Sequence, residues 1–225
     1  MVTKSAAKRA PTKRPFIFSN LATSLDGKIA TADRGLFHLG TSADRRQMSV
    51  LRRRADAVLM GASTLRAFRG PLRIRGAKKH PVNVVLSSSL AGISPAWPFF
   101  TNPDTRKILF ASRTAPAARR RAIAKVADLV LLDPKKPTAP QIVRALAERG
   151  IRRLLVEGGG SVMWDFVSAG LLDEFHVTLT PWILGGTEAP TLVDGPGFPA
   201  GKAAKLRLVR VKRLKDELYL TYRRG

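Results

Sequence analysis

Residues 154–161 read Leu154-Leu155-Val156-Glu157-Gly158-Gly159-Gly160-Ser161: an apolar run, one carboxylate and three glycines. The apolar run is typical of a strand buried on both faces, and Val162 and Phe166 then follow at helical spacing. Glycine lets the backbone turn sharply and leaves its N–H groups uncovered, and the start of a helix attracts anions. The segment therefore predicts a tight strand-to-helix turn or a turn that also binds phosphate. Its spacing is neither G-x-G-x-x-G nor a P-loop, so both interpretations stay open.

The same alternation of strand and helix continues on both sides of this stretch. Short runs rich in Val, Ile and Leu predict further buried strands at residues 16–20, 57–60, 82–86, 107–111 and 129–132. Helices are predicted at residues 43–54 (capped by Ser42), 115–126, 140–150 and 161–170. Alternating apolar residues predict antiparallel edge strands at 175–181, 205–212 and 217–222. These elements predict an α/β fold with a mixed, mostly parallel central sheet, helices on both faces and antiparallel edge strands at the C-terminus.

The composition limits the class of protein. The chain has 225 residues, 44% of them hydrophobic, and we predict a single domain over residues 15–225 behind a disordered basic tail over residues 1–14. It has no cysteine, and its three histidines share no ligand spacing, so we predict neither disulfides nor a metal site. No apolar run approaches the length of a membrane span, and we expect a cytoplasmic protein.

The formal net charge of +24 is the most unusual property of the chain. Such a charge attracts anions, whether nucleic acid, anionic surfaces or phosphorylated small molecules. Base-stacking aromatic residues are not interleaved with the basic runs, as single-strand binding would require. Nucleic acid is therefore not the favoured ligand. A charge that serves solubility or reflects a basic proteome stays an open interpretation beside a phosphorylated small molecule, since the charge of a whole chain says little about a specific site. A non-catalytic, basic nucleic-acid-binding protein remains the alternative from a different functional class.

Several motifs follow one another in the order found in known families. The segments VLMGAST (58–64) and VVLSS (84–88), followed by the triple-glycine turn, resemble the dihydrofolate reductases, in which these segments wrap an extended NADPH. A closer resemblance is to the pyrimidine reductases of riboflavin biosynthesis. It rests on Glu157 directly before the glycines and on four other segments: SLDGKIA (24–30), AGLLDE (169–174), LGG (184–186) and APTLVDG (189–195).

This resemblance implies a function and a set of site residues. The function is NADPH-dependent reduction of a 5-amino-6-ribosylamino-pyrimidine 5′-phosphate to its ribitylamino form, by a homodimer. The cofactor contacts it implies are Ala22, Thr64, Ser88 (near the adenosine 2′-phosphate), Gly159, Gly160, Ser161 and Val162. The substrate contacts it implies are Arg52, Leu72, Arg75 and Glu157. Arginine suits the substrate phosphate because its planar guanidinium can bind phosphate through two hydrogen bonds.

Glu157 is the catalytic residue that the resemblance implies. A carboxylate at the end of a buried strand costs free energy unless it has a partner. That partner would be an amino N–H of the pyrimidine, or the nitrogen that becomes the ribitylamine. The alternative partner is one of the many basic side chains of the chain, in a salt bridge.

The sequence departs from the family at two places near the expected substrate. Phe68 stands where the family has an aspartate close to the nicotinamide, and Phe37-His38-Leu39 occupies the substrate-facing loop. A proton must still reach the imine nitrogen or the ring oxygen of the substrate. Asp44, Glu157, His38 and water are the candidate donors. The departures also leave open an NADPH reductase of the same fold with another, pterin-like or unknown substrate.

Overall fold

A computed structural model of the chain describes residues 13–35, 37–132 and 136–225. The described residues form nine strands and six helices. The strands are β1 (Phe16–Thr23), β2 (Ala57–Gly61), β3 (Val82–Leu86), β4 (Lys107–Ser112), β5 (Asp128–Leu132), β6 (Arg153–Val156), β7 (Glu174–Leu179), β8 (Leu206–Leu214) and β9 (Glu217–Arg224). The helices are α1 (Ser42–Arg53), α2 (Ala62–Phe68), α3 (Pro98–Thr101), α4 (Ala117–Ala124), α5 (Ala139–Glu148) and α6 (Gly160–Ser168).

The strands form one sheet in the order β5-β4-β3-β2-β6-β1-β7-β9-β8. All pairs from β5 to β7 are parallel, and β9 is antiparallel to both β7 and β8. The predicted α/β class, the mostly parallel sheet and the antiparallel C-terminal strands are confirmed.

The position of the last three strands differs from the prediction in one respect. Strand β7 pairs with β1 on one side and β9 on the other, so it lies inside the sheet. Its alternating burial comes from one half-exposed face, and that pattern says nothing about whether the backbone is paired on both sides. Of the C-terminal strands only β8 is an edge, with Leu208, Val209 and Val211 exposed. The homodimer that the resemblance implies stays a prediction.

The helices begin and end close to their predicted positions, with instructive differences. The side chain of Thr41, not of Ser42, caps α1 by accepting a hydrogen bond from the N–H of Ala43. Helix α5 begins in a capping box between Thr138 and Gln141, and α4 is shorter than predicted at both ends. Helices α2 and α3 were not predicted, because segments of seven and four residues carry no helical periodicity.

The sheet is covered on both faces, which explains its near-continuous apolar strands. On one face α5 and α6 pack Ile142, Leu146 and Phe166 against it. On the other face α1, α2, α3 and α4 bury side chains that include Leu51 and Phe99. Because both faces are closed, a ligand can reach the parallel strands only at their ends. None of the helices in the described ranges is long and apolar enough to cross a membrane.

Most of the predicted basic tail, residues 1–12, lies outside the described residues. Arg14, at the end of that tail, donates a hydrogen bond of 2.9 Å to the Asp173 carboxylate. The boundary between tail and domain stays a prediction.

Candidate active site

A cavity of about 720 Å³ opens at the carboxyl ends of four neighbouring strands, β3, β2, β6 and β1. Its size is that of a small-molecule site, and in open α/β sheets ligands bind outside the carboxyl ends of the strands. Each strand contributes the residues at or just after its end. These are 87–89 after β3, 61–64 after β2, 157 and 159–162 after β6, and 20–22 within β1.

The triple-glycine turn leads into α6, and its residues Gly159 and Gly160 line the cavity. Gly158 has a φ of +91°, a conformation that glycine adopts without steric cost. Gly159 is the N-cap and provides no side-chain cap, and the first helical bond runs from the N–H of Met163 to the Gly159 carbonyl, at 3.0 Å. The N–H groups of the first turn therefore have no partner within the helix, as a phosphate site requires.

The glycines at 159 and 160 are needed for different reasons. A Cβ atom on Gly160 would lie 2.3 Å from Asp194 Oδ2 and 2.5 Å from the Thr191 carbonyl, so packing alone excludes a side chain there. A Cβ atom on Gly159 would meet only Thr64 Oγ1, at 3.7 Å. Gly159 thus leaves open the space between the turn and Thr64. The tight-turn interpretation therefore applies to Gly160, and phosphate binding at the open space beside Gly159 stays a prediction.

We expect Gly160→Ala to lower the free energy of unfolding by about 1–3 kcal/mol, because the new methyl group overpacks against the 191–194 turn. Gly159→Ala adds a methyl group in ordinary van der Waals contact and should change the free energy of unfolding by less than about 1 kcal/mol. Urea denaturation of the two variants beside the unsubstituted chain measures both values. Equal losses of stability would contradict the division of roles between the two glycines.

The segment 189–195, one of the family-like motifs, braces the glycine turn. The N–H of Asp194 donates to the Gly160 carbonyl at 3.0 Å, and its carboxylate accepts from the N–H and hydroxyl of Thr191 at 2.9 and 2.5 Å. The N–H of Ile29 donates to the Pro190 carbonyl at 2.9 Å. Motifs far apart in sequence therefore meet around the start of α6.

Asp26, in the motif 24–30, fixes the loop after β7 in a similar way. Its carboxylate accepts hydrogen bonds from the Ser24 hydroxyl at 2.6 Å and from the N–H groups of Leu184 and Gly185 at 3.1 and 2.7 Å. These bonds lower the pKa of Asp26 to about 2, the hydroxyl having the largest effect. Asp26 is therefore ionised and joins the loop after β1 to the loop after β7 through hydrogen bonds. It does not line the cavity.

Glu157 lines the cavity, and its carboxylate is bound by the buried side chain of Arg52, which does not line the cavity. Arg52 donates from Nε to Oε1 at 2.8 Å and from a terminal nitrogen to Oε2 at 2.6 Å. Another nitrogen of Arg52 donates to the Arg73 carbonyl at 2.8 Å. The side chains of Arg52 and Glu157 are only 11% and 8% exposed. The salt bridge that the sequence left as an alternative for Glu157 is thus present, and it orients the carboxylate at the cavity wall.

Asp44 is a second carboxyl on the cavity wall and has a different environment. It is 5% exposed, and its Oδ1 atom has no hydrogen-bond partner among the described residues. Burial raises the pKa of Asp44, and the charges of Glu217 and Glu157 raise it further. A hydrogen bond with Thr178 and the charge of Arg45 oppose this rise only in part. The pKa of Asp44 therefore lies above the ordinary value of an aspartate.

The predicted cofactor residues are brought together, but the predicted substrate residues are not. All seven cofactor residues line the cavity: Ala22, Thr64, Ser88, Gly159, Gly160, Ser161 and Val162. Among the substrate residues only Glu157 does. Leu72 is buried, with its N–H bonded to Asn83 Oδ1 at 2.6 Å, and Arg75 is exposed in a turn. Substrate contacts of Arg52, Leu72 and Arg75 stay predictions that this conformation does not bring to the cavity.

Four cationic side chains that no motif of the sequence indicated also line the cavity: Arg34, Arg45, Arg66 and Lys136. The helix prediction for residues 43–54 could have indicated Arg45, which directly follows Asp44. Arg66 lies on α2, which was not predicted, so no sequence signal pointed to it. Phe37, His38 and Phe68, the departures from the family pattern, line the cavity as well. The described residues contain no cluster of side chains that could hold a metal ion.

Comparison with known proteins agrees with this geometry. The model of the RibD C-terminal domain family matches residues 15–220. A 2,5-diamino-6-ribosylamino-4(3H)-pyrimidinone 5′-phosphate reductase from Methanothermobacter thermautotrophicus is 33% identical, over 93% of this chain and 98% of its own length.

Solved structures extend the comparison to the fold. A deaminase/5-amino-6-(5-phosphoribosylamino)uracil reductase from Thermotoga maritima aligns with a TM-score of 0.79 and 26% identity, over 94% of this chain. This chain spans 57% of that longer protein. A dihydrofolate reductase from Enterococcus faecalis, complexed with NADP(H), aligns with a TM-score of 0.52 and 14% identity, which is a likeness of fold alone. With its cavity, its braced glycine turn and its family match over nearly the whole length, the chain belongs to the RibD C-terminal domain family.

Proposed function

We propose that the chain reduces a 6-ribosylamino-pyrimidine 5′-phosphate to its ribitylamino form with NADPH, as a step of riboflavin biosynthesis. The observation that carries the proposal is that the uncapped start of α6 lies between a serine-rich end and a carboxyl-bearing end of one cavity. A phosphate-binding turn, a polar end for a nucleoside and a separate acidic end are what a dinucleotide-dependent reductase needs.

The order of the four strands supports a direction for the cofactor. Neighbouring strands lie about 4.8 Å apart, so the ends of β3, β2, β6 and β1 span about 14 Å. The pyrophosphate would bind the N–H groups of residues 160–162 and the Thr64 hydroxyl, in the space that Gly159 leaves open. The adenosine would extend over β3 to Ser88. The nicotinamide end would extend over β1 to Ala22, beside the carboxyl-bearing end of the cavity.

The side chains at the carboxyl-bearing end would bind the substrate, supply its proton and exclude water. When bound, the reduced nicotinamide would supply hydride to C1′ of the opened ribose. Glu157, oriented by Arg52, would accept hydrogen bonds from the amino N–H groups of the pyrimidine. Asp44, buried and raised in pKa, would hold the proton destined for the imine nitrogen or the ring oxygen. The rings of Phe37 and Phe68 line the same cavity and would exclude water from it.

The substrate phosphate would bind arginines at this end. Arg45 follows Asp44 on the first turn of α1, and Arg34 lies in the loop before that helix. We expect Arg45→Ala to raise KM for the pyrimidine ribotide about 10- to 100-fold, because a charged hydrogen bond is lost. Arg46→Ala is the matched control, since Arg46 is exposed on the same helix and binds Ser42 outside the cavity. Steady-state kinetics at saturating NADPH measure both, and equal values of KM would contradict the assignment.

The function itself is tested by incubating the purified chain with NADPH and the ribosylamino-pyrimidine phosphate. The expected result is substrate-dependent loss of NADPH absorbance and, by mass spectrometry, a product heavier than the substrate by two hydrogen atoms. Dihydrofolate serves as the comparison substrate and should not be reduced. NADPH oxidation with a pterin but not with the pyrimidine would overturn the proposed substrate, and failure to bind NADPH would overturn the proposed reductase.

A further inference from the structure

Arg66 projects from α2 toward the loop that follows β3, and it lines the cavity. One terminal nitrogen of its guanidinium donates to Ser63 Oγ at 3.0 Å, and the other donates to the Ala91 carbonyl at 3.2 Å. These bonds fix the guanidinium beside residues 87–92, from which Ser87, Ser88 and Ser89 also line the cavity. Arg66 and the serines therefore belong to the same end of the site.

The charge of Arg66 is not neutralised within the described part of the chain. Lys136, another cation that lines the cavity, is by contrast paired with Asp165 at 2.8 Å. Arg66 forms no ion pair with any described carboxylate. A guanidinium has five N–H donors, so donors remain beyond the two hydrogen bonds described above.

The surroundings of Arg66 carry further positive charge and hydroxyl donors. Arg119 donates to the Ser89 carbonyl at 3.3 Å, which brings a second guanidinium to the same loop. Ser88 is half-buried at the end of β3. A cation with free donors, beside hydroxyl groups and without a carboxylate partner, is the environment that a phosphate group requires.

We propose that Arg66 selects a cofactor with a phosphate on its adenosine ribose, by binding that phosphate together with Ser88. This inference rests on the proposed function and assigns one residue to its cofactor specificity. The loop after β3 lies two strand spacings, about 10 Å, from the glycine turn after β6. One nucleoside bridges that separation, so a pyrophosphate at the turn and a ribose phosphate at Arg66 are compatible.

A purely structural role for Arg66 is the competing explanation. Its aliphatic part packs closely on Gly92, where an added Cβ atom would lie 3.2 Å from Arg66 Cδ. If Arg66 only braces the loop, its loss would weaken binding of every nucleotide in the cavity equally. If it binds the ribose phosphate, its loss would weaken only the nucleotides that carry this group.

The experiment measures dissociation constants by calorimetry for NADPH, NADH, 2′,5′-ADP and 5′-AMP, without any turnover. We expect Arg66→Ala to weaken NADPH and 2′,5′-ADP about 10- to 100-fold and to change NADH and 5′-AMP less than about 2-fold. Arg66→Lys keeps the charge but loses the planar guanidinium. Its dissociation constants for NADPH and 2′,5′-ADP should lie between those of the unsubstituted chain and those of Arg66→Ala. Arg69→Ala is the matched control: Arg69 lies at the end of the same helix, stacks on Trp97 at 5.4 Å and is expected to leave all four constants unchanged.

Each result has a distinct meaning. Equal weakening of phosphorylated and unphosphorylated nucleotides by Arg66→Ala, or an unchanged preference for NADPH, would overturn the role of Arg66 while leaving the proposed reductase intact. Absence of NADPH and NADH binding in the unsubstituted chain would overturn the proposed function and this inference with it.

Discussion

Replacing Arg52 by methionine is expected to lower the free energy of unfolding by about 3–5 kcal/mol, because Glu157 would be left buried without its cation. The pair is 11% and 8% exposed, and Arg52 makes two hydrogen bonds to the carboxylate. Urea denaturation with linear extrapolation measures the loss. Arg73→Met is the matched control, since the Arg73–Asp104 pair is about half exposed and should contribute less than about 1 kcal/mol.

The double variant Arg52→Met/Glu157→Leu separates stability from catalysis. Apolar residues of similar size can replace a buried ion pair at little cost, so we expect much of the lost stability to return. Reductase activity should not return, because the carboxylate that we propose to bind the pyrimidine is gone. A stable double variant that turned over at the rate of the unsubstituted chain would show that the Arg52–Glu157 pair serves folding alone.

Replacing Asp44 by asparagine is expected to lower kcat about 10²- to 10⁴-fold, the range of general acid catalysis, while KM for NADPH stays the same. Because burial raises the pKa of Asp44, kcat of the unsubstituted chain should fall as the pH rises through that pKa. The asparagine variant should lack this decline. Steady-state kinetics over a pH series measure both effects, and Asp216→Asn, in an exposed turn, is the control.

The raised pKa of Asp44 also makes the free energy of unfolding depend on pH. The folded chain binds a proton at Asp44 more tightly than the unfolded chain does, so the stabilising contribution is complete below the ordinary aspartate pKa. It is lost as the pH rises through the raised pKa of the folded state. The stability of Asp44→Asn should therefore improve relative to the unsubstituted chain as pH rises across this window. The opposite trend in urea denaturation would argue against a raised pKa.

Local patterns in the sequence were sufficient for the strands that end at the cavity and for the turn into α6. The strand before Glu157 and the three glycines were recognisable because burial on both faces and sharp turning each demand particular residue types at consecutive positions. The seven residues of α2 gave no such signal, since a helix that short carries no periodic stripe. Arg66 was missed for that reason.

The sequence by itself determined the α/β class, the strand-to-helix turn and the family, because these depend on residues adjacent along the chain or on motifs in a fixed order. Only the tertiary structure decided the partner of Glu157, which is Arg52, 105 residues away. It likewise decided that Gly160 must be glycine to accommodate the 191–194 turn, and that Arg66 donates to the Ala91 carbonyl in the loop after β3. These contacts join distant segments, and no local pattern of residues encodes which distant side chains packing will bring together.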